Sequence, residues 1–470
     1  MKKMRRMIGQ SEVQRRTSPL RIRRAAGTVL IVTIWVVLVL AGLAMVFARS
    51  VRVSAAVAAN QVAALQAECI AEGALQYVVA RITQAAEEEE EVAGSDNSED
   101  YEAQEVGNGH FWILRSNLES DREFDYGLTD EAGKINLNSA SLEMLQKLPG
   151  MTAELAASII DWRDEDSDVT TGGAESEYYL LQSPNYQCKN LPLETVDEIL
   201  LIKGASEELL YGEDINLNGY LDDHENDGDE SEPDDNHNGR LDAGFYDYVT
   251  VYSKEANVNS DGNARINVTD TSSVSDLQTL LTEQFKEDRA IEIMIASGVS
   301  SNPSFENILQ FYYRSGMTSE EFSQIADKLT ASSETTLSGL VNVNTAPKEV
   351  LLCLPGLEES DAEALVSYRE SNGDSPDSIA WVTEVLDEEK AVGIGSYITV
   401  RSYQYSADII CLSGNGRAYR RYRAVIDTQA GSPRVVYWRS LTHFGWPLQP
   451  EIVEALKKGQ PLNSVVLSMH

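Results

Sequence analysis

The chain has 470 residues, enough for two or three domains, and 42% of them are hydrophobic, as in ordinary globular proteins. Its net charge is −37 at pH 7, although residues 1–24 carry nine Lys or Arg and one Glu. The rest of the chain is therefore a strongly acidic body, which repels phosphate backbones and attracts divalent cations. This charge argues against nucleic acid as a partner.

The first predicted element is a membrane-spanning helix. Ala25 to Ala48 contains no charged residue, and as a helix it would be about 36 Å long, enough to cross a bilayer. The basic cluster from Arg15 to Arg24 predicts a cytoplasmic N-terminus. A cleaved secretory signal is the alternative. However, the helical apolar pattern continues to Val78 without a proline and predicts one stem helix from Gly27 to Gln84.

The residues before this stem resemble a processing site. Arg23-Arg24-Ala25-Ala26-Gly27-Thr28 is similar to the leader of type IV pilins and pseudopilins, which a prepilin peptidase cuts after the glycine. The resemblance implies cleavage between Gly27 and Thr28. Most pseudopilins place Glu at the fifth mature position, where this chain has Val32. That departure, together with the stretch Ala67–Tyr77, resembles the minor pseudopilin K family of type II secretion systems.

The chain then contains an internal repeat. Residues 135–163 align without gaps to residues 341–369, with Asn, Leu-Pro-Gly and a final Arg at matching positions. In each copy an extended segment leads to a Ser or Thr cap, a short helix, the Leu-Pro-Gly turn and a second helix. This order predicts two helix-hairpin-helix (SAM-like) units.

Helix-hairpin-helix units often bind DNA through the amides of a Gly-hydrophobic-Gly turn. The turns here are Pro149-Gly150-Met151-Thr152 and Pro355-Gly356-Leu357-Glu358, and both lack the second glycine. Glu358 would also face a phosphate. We therefore expect structural or protein-contacting hairpins.

An EF-hand-like calcium loop lies between the repeats. Asp214, Asn216 and Asn218 occupy positions one, three and five, and Gly219 allows the sharp turn at six. The remaining ligands are the carbonyl of Tyr220 at seven, Asp222 at nine and Glu225 at twelve. An all-oxygen set of this kind favours Ca²⁺.

A second loop repeats this spacing. Its candidate ligands are Asp234, Asn236, Asn238, Arg240 and Asp242. Position twelve is Phe245, so an acid must come from elsewhere, either Asp247 or residues 227–232. The alternative is a disordered acidic linker, because residues 213–242 contain twelve acids and one base. Helices of EF-hand length do not flank either loop, so the pattern predicts a calcium-stapled loop and not a calcium sensor.

Short strands are predicted outside and inside this region, at Phe111–Arg115, Glu123–Leu128, Tyr248–Tyr252, Arg265–Val268, Tyr397–Tyr405, Ala407–Gly414, Tyr419–Thr428 and Arg434–Leu441. The fold class is α+β: a transmembrane stem helix packed on a small antiparallel sheet, with a large, mostly helical insert. The predicted domains are a leader (1–27), the stem (28–84), a linker with the first strands (85–133), the insert (134–395) with its calcium loops (214–247), the final strands (396–445) and a tail (446–470).

The sequence offers no catalytic constellation. Serine-nucleophile elbows, Walker loops and zinc-protease motifs are absent from it, and its five histidines are scattered. Its four cysteines, Cys69, Cys188, Cys353 and Cys411, fit no zinc spacing, and their pairing stays open. We expect a non-enzyme without a small-molecule substrate.

The family resemblance implies a function. It implies a structural subunit at the tip of a periplasmic pseudopilus, anchored by one pass in the bacterial inner membrane with its body in the periplasm. The implied partners are other minor pseudopilins, the major pseudopilin and the prepilin peptidase, with no nucleic acid. Two alternatives are a membrane-tethered DNA receptor of competence type, which would need basic hairpins, and a calcium-dependent surface adhesin.

Overall fold

The structure is a computed structural model that describes residues 26–88, 92–93, 97–116, 124–219, 221–228, 237–301, 303–372, 377–460 and 462. The basic leader before residue 26 lies outside these ranges, as do Tyr220, Asp234 and Asn236 of the two loops. The chain divides into two compact units, Met1–Gln61 and Val62–His470, and each is described by itself.

The described part of the first unit is the N-terminal portion of one long helix, α1, which spans Ala26–Glu88. Its Val, Leu and Ile side chains are exposed on every side up to Phe47. By length and composition, this helix contains a stretch that could cross a membrane. The prediction of a long apolar N-terminal helix is confirmed, and the helix ends four residues later than expected.

The second unit contains the remaining elements. After α1 its helices are α2 (Ser98–Tyr101), α3 (Leu142–Gln146), α4 (Ala153–Arg163), α5 (Ser176–Tyr179), α6 (Glu207–Tyr211), α7 (Val274–Phe285), α8 (Glu287–Ser297), α9 (Ile308–Ser315), α10 (Ser319–Ser323), α11 (Lys348–Leu352), α12 (Glu359–Asn372), α13 (Val382–Val385), α14 (Glu388–Ile394) and α15 (Pro450–Lys457). Short 3₁₀ turns lie at Glu131–Gly133, Val196–Leu201, Tyr246–Tyr248, Thr271–Ser273, Ala326–Lys328, Ile379–Trp381 and Thr442–Phe444. The strands are β1 (Gln104–Val106), β2 (Gly109–Ser116), β3 (Phe124–Tyr126), β4 (Thr129–Asp130), β5 (Ile135–Asn136), β6 (Val249–Thr250), β7 (Lys254–Ala256), β8 (Ile266–Asn267), β9 (Leu329–Thr330), β10 (Thr336–Ser338), β11 (Val341–Asn342), β12 (Ile398–Thr399), β13 (Gln404–Leu412), β14 (Tyr419–Asp427) and β15 (Arg434–Ser440).

The main sheet is antiparallel, with the strand order β1-β2-β13-β14-β15; β3 pairs with β2, and β4 pairs with β13. We call it the body sheet. The C-terminal part of α1 packs Ile70, Ala74 and Val78 against one face, where Ile113 and Ile409 lie opposite each other on neighbouring strands. The predicted antiparallel sheet is confirmed.

The other face of the body sheet is also covered. Trp112 and Ile410 pack there against Ile452 and Leu456 of α15, a helix in the segment interpreted from the sequence as a tail. The i, i+4 spacing of these two apolar residues was the available signal. Because both faces are buried, β13 is buried along its whole length instead of alternating.

Two segments differ in kind from the predictions. The expected strand Tyr397–Tyr405 is two strands, β12 and the start of β13, which pair with different partners. The segment after the stem, interpreted as a linker, includes helix α2, where Asp100 forms an ion pair with Arg81 of α1. This ion pair stabilises one conformation of the segment, which its acidic composition alone did not indicate.

Between β4 and β13 lies the insert, whose hydrophobic core runs continuously from Ile135 to Ile398. It contains three parallel strand pairs, β5·β6, β8·β9 and β11·β12, each enclosing a group of helices. The first strand of each pair ends in Asn136, Asn267 or Asn342. The Oδ1 atom of each asparagine accepts a hydrogen bond from the amide two residues later, at 2.8–3.0 Å. The insert is therefore built from three units of one plan, whereas the sequence comparison found two.

The two aligned copies, at α3–α4 and α11–α12, share one further contact. Arg163 donates to the carbonyls of Leu137 and Ala140, and the aligned Arg369 donates to the corresponding carbonyls of its own copy. Each arginine thereby ties the second helix to the extended segment at the start of the unit. Their helix-hairpin-helix character stays a prediction.

Candidate metal centre

The first candidate calcium loop folds around the buried carboxylate of Asp214. Its Oδ1 accepts from the amide of Asn218 and its Oδ2 from the amide of Gly219, both at 2.9 Å. Two left-handed residues make the turn, Leu217 with φ 53° and Gly219 with φ 70°. A glycine is favoured at the second of these because its φ is positive and the Ser116 backbone lies close by.

The predicted ligands of this loop converge, apart from Tyr220, which lies outside the described residues. Glu225 is fully buried, and its Oε2 accepts from the amide of Asp222 at 3.1 Å. Among the described residues, its Oε1 and the Oδ1 of Asn216 have no hydrogen-bond partner. Asp222 and Glu225 also place oxygens within 4.8 Å of a nitrogen of His224. Buried oxygens without donors are what a cation site requires.

The amides of Asn216 and Asn218 point their nitrogens at the Oδ2 of Asp222, at 2.6 and 3.1 Å. The oxygen and nitrogen of an amide exchange places when the group rotates by half a turn. Both side chains can therefore present oxygen to a cation from the same positions.

The electrostatics of this loop favour a bound cation. Burial, followed by the charge of Asp247, raises the pKa of Asp214 to about 7. Burial, with the charge of Asp214, raises the pKa of Glu225 to about 8. A divalent cation between these carboxylates would offset both causes, because it stabilises their ionised forms.

The second loop repeats the backbone turn of the first where it is described, although its Asn238 and Asp242 are exposed and Asn218 is buried. His237 has φ 57° and Gly239 has φ 70°, which match positions four and six of the first loop. The Asn238 amide lies 3.0 Å from the Oδ2 of Asp242, as Asn218 does from Asp222. Arg240 stands at position seven. Asp234 and Asn236 lie outside the described residues.

The acid missing from the second loop has a counterpart in Glu213. In the first loop, the amide at position nine donates to the Oε2 of Glu225. In the second loop, the amide of Asp242 donates at 2.9 Å to the Oε2 of Glu213, which is buried. Glu213 precedes the first loop, so spacing within the second loop could not indicate it, and the sequence argument looked instead to Asp247 and residues 227–232.

A third acidic cluster follows α4 and was missed from the sequence. Asp164, Asp166 and Glu175 place carboxylate oxygens within 4.8 Å of one another. Glu175 is 5% exposed, and neither of its oxygens has a hydrogen-bond partner among the described residues, nor does the Oδ2 of buried Asp161. The side-chain amide of Asn190 donates to the backbone carbonyl of Asp166 and so links residue 190 to the cluster.

This third cluster shares the electrostatics of the first loop. Burial, followed by the charge of Asp166, raises the pKa of Asp164. Burial also raises the pKa of Glu175. The spacing of Asp161, Asp164 and Asp166, which lie three and two residues apart, was the available signal. In the sequence this spacing resembles a solvated helix end, because only the fold brings Glu175 next to these residues.

The predicted cleavage site and cysteines can also be placed. Gly27 and Thr28 lie in the first turn of α1, and cleavage there stays a prediction. All four cysteines are free thiols; Cys69 is exposed, and the other three are buried. Burial raises the pKa of the Cys188 thiol to about 11, which keeps that thiol protonated and unreactive at neutral pH.

Comparison with known proteins gives two family matches. Residues 128–211 match one model of "Type II secretion system (T2SS), protein K", and residues 341–392 match a second model of the same description. The two matched segments contain the two aligned copies of the repeat, and the first also contains the third acidic cluster.

A curated relative and a solved structure are similar to the chain. "Type II secretion system protein K" of Klebsiella pneumoniae is 40% identical over 68 residues, 14% of this chain and 21% of the relative, so the chain matches about a fifth of that protein. A GspK-GspI-GspJ complex from enterotoxigenic Escherichia coli contains a chain of 12% identity, with coverage of 80% of this chain and 96% of that one and a TM-score of 0.40. The family matches and the curated relative, independently of that structure, show that these segments of the chain are similar to type II secretion system protein K.

Proposed function

We propose that the protein is a minor pseudopilin at the tip of a type II secretion pseudopilus, a structural subunit for pseudopilus assembly and protein secretion across the outer membrane. One observation carries this: both family matches fall on the repeat of a chain whose apolar stem helix packs on an antiparallel sheet. A long apolar stem with a sheet-bearing body is the architecture expected of a pilin-like subunit.

The surface of the stem supports assembly with similar stems. Val53, Val57 and Leu65 lie beyond the first apolar stretch of α1 and are 57, 49 and 67% exposed. Apolar side chains repeated along an exposed helix face are stabilised by packing against a partner. We propose other minor pseudopilins and the major pseudopilin as these partners, and Val32 in place of the usual Glu supports the tip position.

The proposed topology follows from the ends of the stem. The basic leader stays in the cytoplasm, where a prepilin peptidase cuts between Gly27 and Thr28. The helix then crosses the inner membrane once and carries the acidic body into the periplasm. Periplasmic calcium would meet this body directly.

We propose Ca²⁺ as the cofactor of the acidic body. The first loop binds it with the ligands predicted from the sequence, and Glu213 completes the second loop in place of residue 245. The third cluster supplies Asp164, Asp166 and Glu175. Carboxylate and amide oxygens favour Ca²⁺ over Zn²⁺, and His224 stands at position eleven of the first loop, which is not a ligand position. The role of the ion is structural and not catalytic.

The competence-type DNA receptor is disfavoured by the second hairpin. The amide of Glu358, in the turn that would face a phosphate, donates at 2.8 Å to the side chain of Asp361. The first hairpin uses Lys147 to donate to the carbonyl of Leu354 in the second, at 3.0 Å. The Glu358 amide already donates to a carboxylate, and Lys147 already donates to a carbonyl. These contacts leave both groups with little capacity to bind a DNA phosphate. A calcium-dependent adhesin finds no support in the family matches.

Copurification from the native host tests the proposed function. A tagged full-length chain, extracted in mild detergent, is expected to bring down the other minor pseudopilins of the same secretion system. Leu65→Asp on the exposed stem face is expected to weaken this recovery, while Glu454→Gln, on the outside of α15, is the matched control. A deletion strain that secretes normally, or a chain that elutes alone, would contradict the proposal.

A further inference from the structure

The first calcium loop rests on one buried arginine of the body sheet. Arg421, in β14, is 0% exposed, and its guanidinium donates to the backbone carbonyls of Asn216 and Leu217. These are positions three and four of the loop. The arginine lies about two hundred residues away in sequence, so the loop motif contains no sign of it.

The opposite side of the guanidinium is held by Asp408 of β13. Its two oxygens accept from Nε at 3.1 Å and from a terminal nitrogen at 2.7 Å. A buried guanidinium is stable only when its donors are satisfied, and four of its five N–H groups are used here, two toward the carboxylate and two toward the loop. If the loop moved away, two donors of a buried cation would lose their partners. The loop and the sheet are therefore held as one piece by this side chain.

We propose that Arg421 is a positioning residue of the first calcium loop. By holding the carbonyls of Asn216 and Leu217, it keeps Leu217 in the left-handed conformation, which a branched residue adopts only under constraint. The side chains on either side of Leu217, at positions three and five, then point into the site. This inference rests on the proposed calcium function.

The same contacts make the coupling reciprocal. If Arg421 increases the affinity of the loop for calcium, then calcium must stabilise the contact between the loop and the body sheet by the same factor. Calcium would thus fix the insert to the body as well as fold the loop.

Calorimetry on the full-length protein in detergent micelles tests the proposal. The heat that disappears in Glu225→Gln defines binding at the first loop. We expect Arg421→Met to weaken that binding at least tenfold and Arg421→Lys to weaken it less, with the other calcium sites unchanged. The control is Arg369→Met, which removes an arginine that also donates to two carbonyls but lies in α12, within the third repeat unit of the insert. It should leave first-loop affinity within twofold.

A second measurement needs no substitution. In wild-type protein, calcium should slow amide hydrogen exchange in residues 418–424 of the body sheet, and Glu225→Gln should abolish that effect. This measurement decides the question if Arg421→Met fails to fold. Two results would each overturn the positioning role alone. One is a calcium affinity of the first loop that is unchanged in the Arg421 variants, and the other is an amide exchange rate in the sheet that is the same with and without calcium. A wild-type chain that binds no calcium at the first loop overturns the calcium function with it.

Discussion

Removal of Asp408 should be among the most destabilising single changes in the body sheet. Its carboxylate is paired with Arg421 at 2.7 Å and also lies 3.4 Å from Arg423. Asp408→Ala would leave the fully buried Arg421 without a counter-ion, and truncating one partner of a buried pair costs about 3–5 kcal/mol. Because a second arginine loses its neighbour too, we expect the upper part of that range.

Urea unfolding of the detergent-solubilised protein, followed by near-UV circular dichroism, measures this loss as a free energy of unfolding. Asp408→Asn keeps an oxygen acceptor and should lose less, about 1.5–3 kcal/mol. Replacing Arg421 and Asp408 together by Met and Leu should recover part of the stability, because the fully buried guanidinium is removed with its counter-ion and only Arg423 still loses a neighbour. Glu454→Ala, at an exposed ion pair of α15, should leave the midpoint unchanged. A loss below about 1 kcal/mol for Asp408→Ala would refute the reasoning.

Four further outcomes are expected. N-terminal sequencing of the membrane-purified protein should begin at Thr28; an intact Met1 would contradict leader processing. Chelation should lower the melting temperature and speed proteolysis within residues 211–245, since calcium at one hundred times its Kd contributes about 2.7 kcal/mol per site; an unchanged melting curve would reduce the segment to a linker. Glu175→Gln should remove one calcium ion by equilibrium dialysis with ⁴⁵Ca²⁺, whereas Glu177→Gln, a nearby exposed control, should not. The soluble body should not retard duplex DNA at physiological salt in a gel-shift assay, and salt-sensitive retardation lost in Gly356→Ala would reverse that interpretation.

Features that depend on residues close together in the chain could be predicted from the sequence. The stem helix follows from an uncharged apolar run, because a helix needs only local hydrogen bonds and a continuous pattern. The aligned copies follow from matched asparagines and Leu-Pro-Gly turns, and Arg163 and Arg369 occupy equivalent places because they belong to that alignment. The predicted Ser or Thr cap of the first helix is not shared, because that cap is Ser141 in the first copy and Pro347 in the second. The side chains of Asp214 and Glu225 come together because loop geometry fixes positions one and twelve.

Features set by long-range packing could not be predicted in this way. Glu213 lies next to the second loop only because the two loops fold against each other, and Arg421 reaches the first loop only once the insert lies on the sheet. The middle unit of the insert escaped comparison because its first helix, α7, is longer than α3 and α11, and because no Leu-Pro-Gly turn joins α7 to α8. Because α15 covers the second face of the sheet, β13 does not alternate between buried and exposed side chains. In each case the deciding partner is distant in sequence, which periodicity and spacing do not encode.

The pairing of β4 with β13 has a consequence for how such a chain could be remodelled. Thr129 lies directly opposite Ser406, so the segment between them leaves and rejoins the sheet at two adjacent backbone positions. Paired residues of this kind are about 4.5–5.5 Å apart, a gap that a hairpin loop of two to five residues can close. A shortened gene could therefore encode a minimal stem-and-sheet subunit, provided that Arg421 and Asp408 were replaced together once the loop above them is gone. By the same geometry, an ancestral subunit could gain the whole insert at one turn without rearranging its sheet.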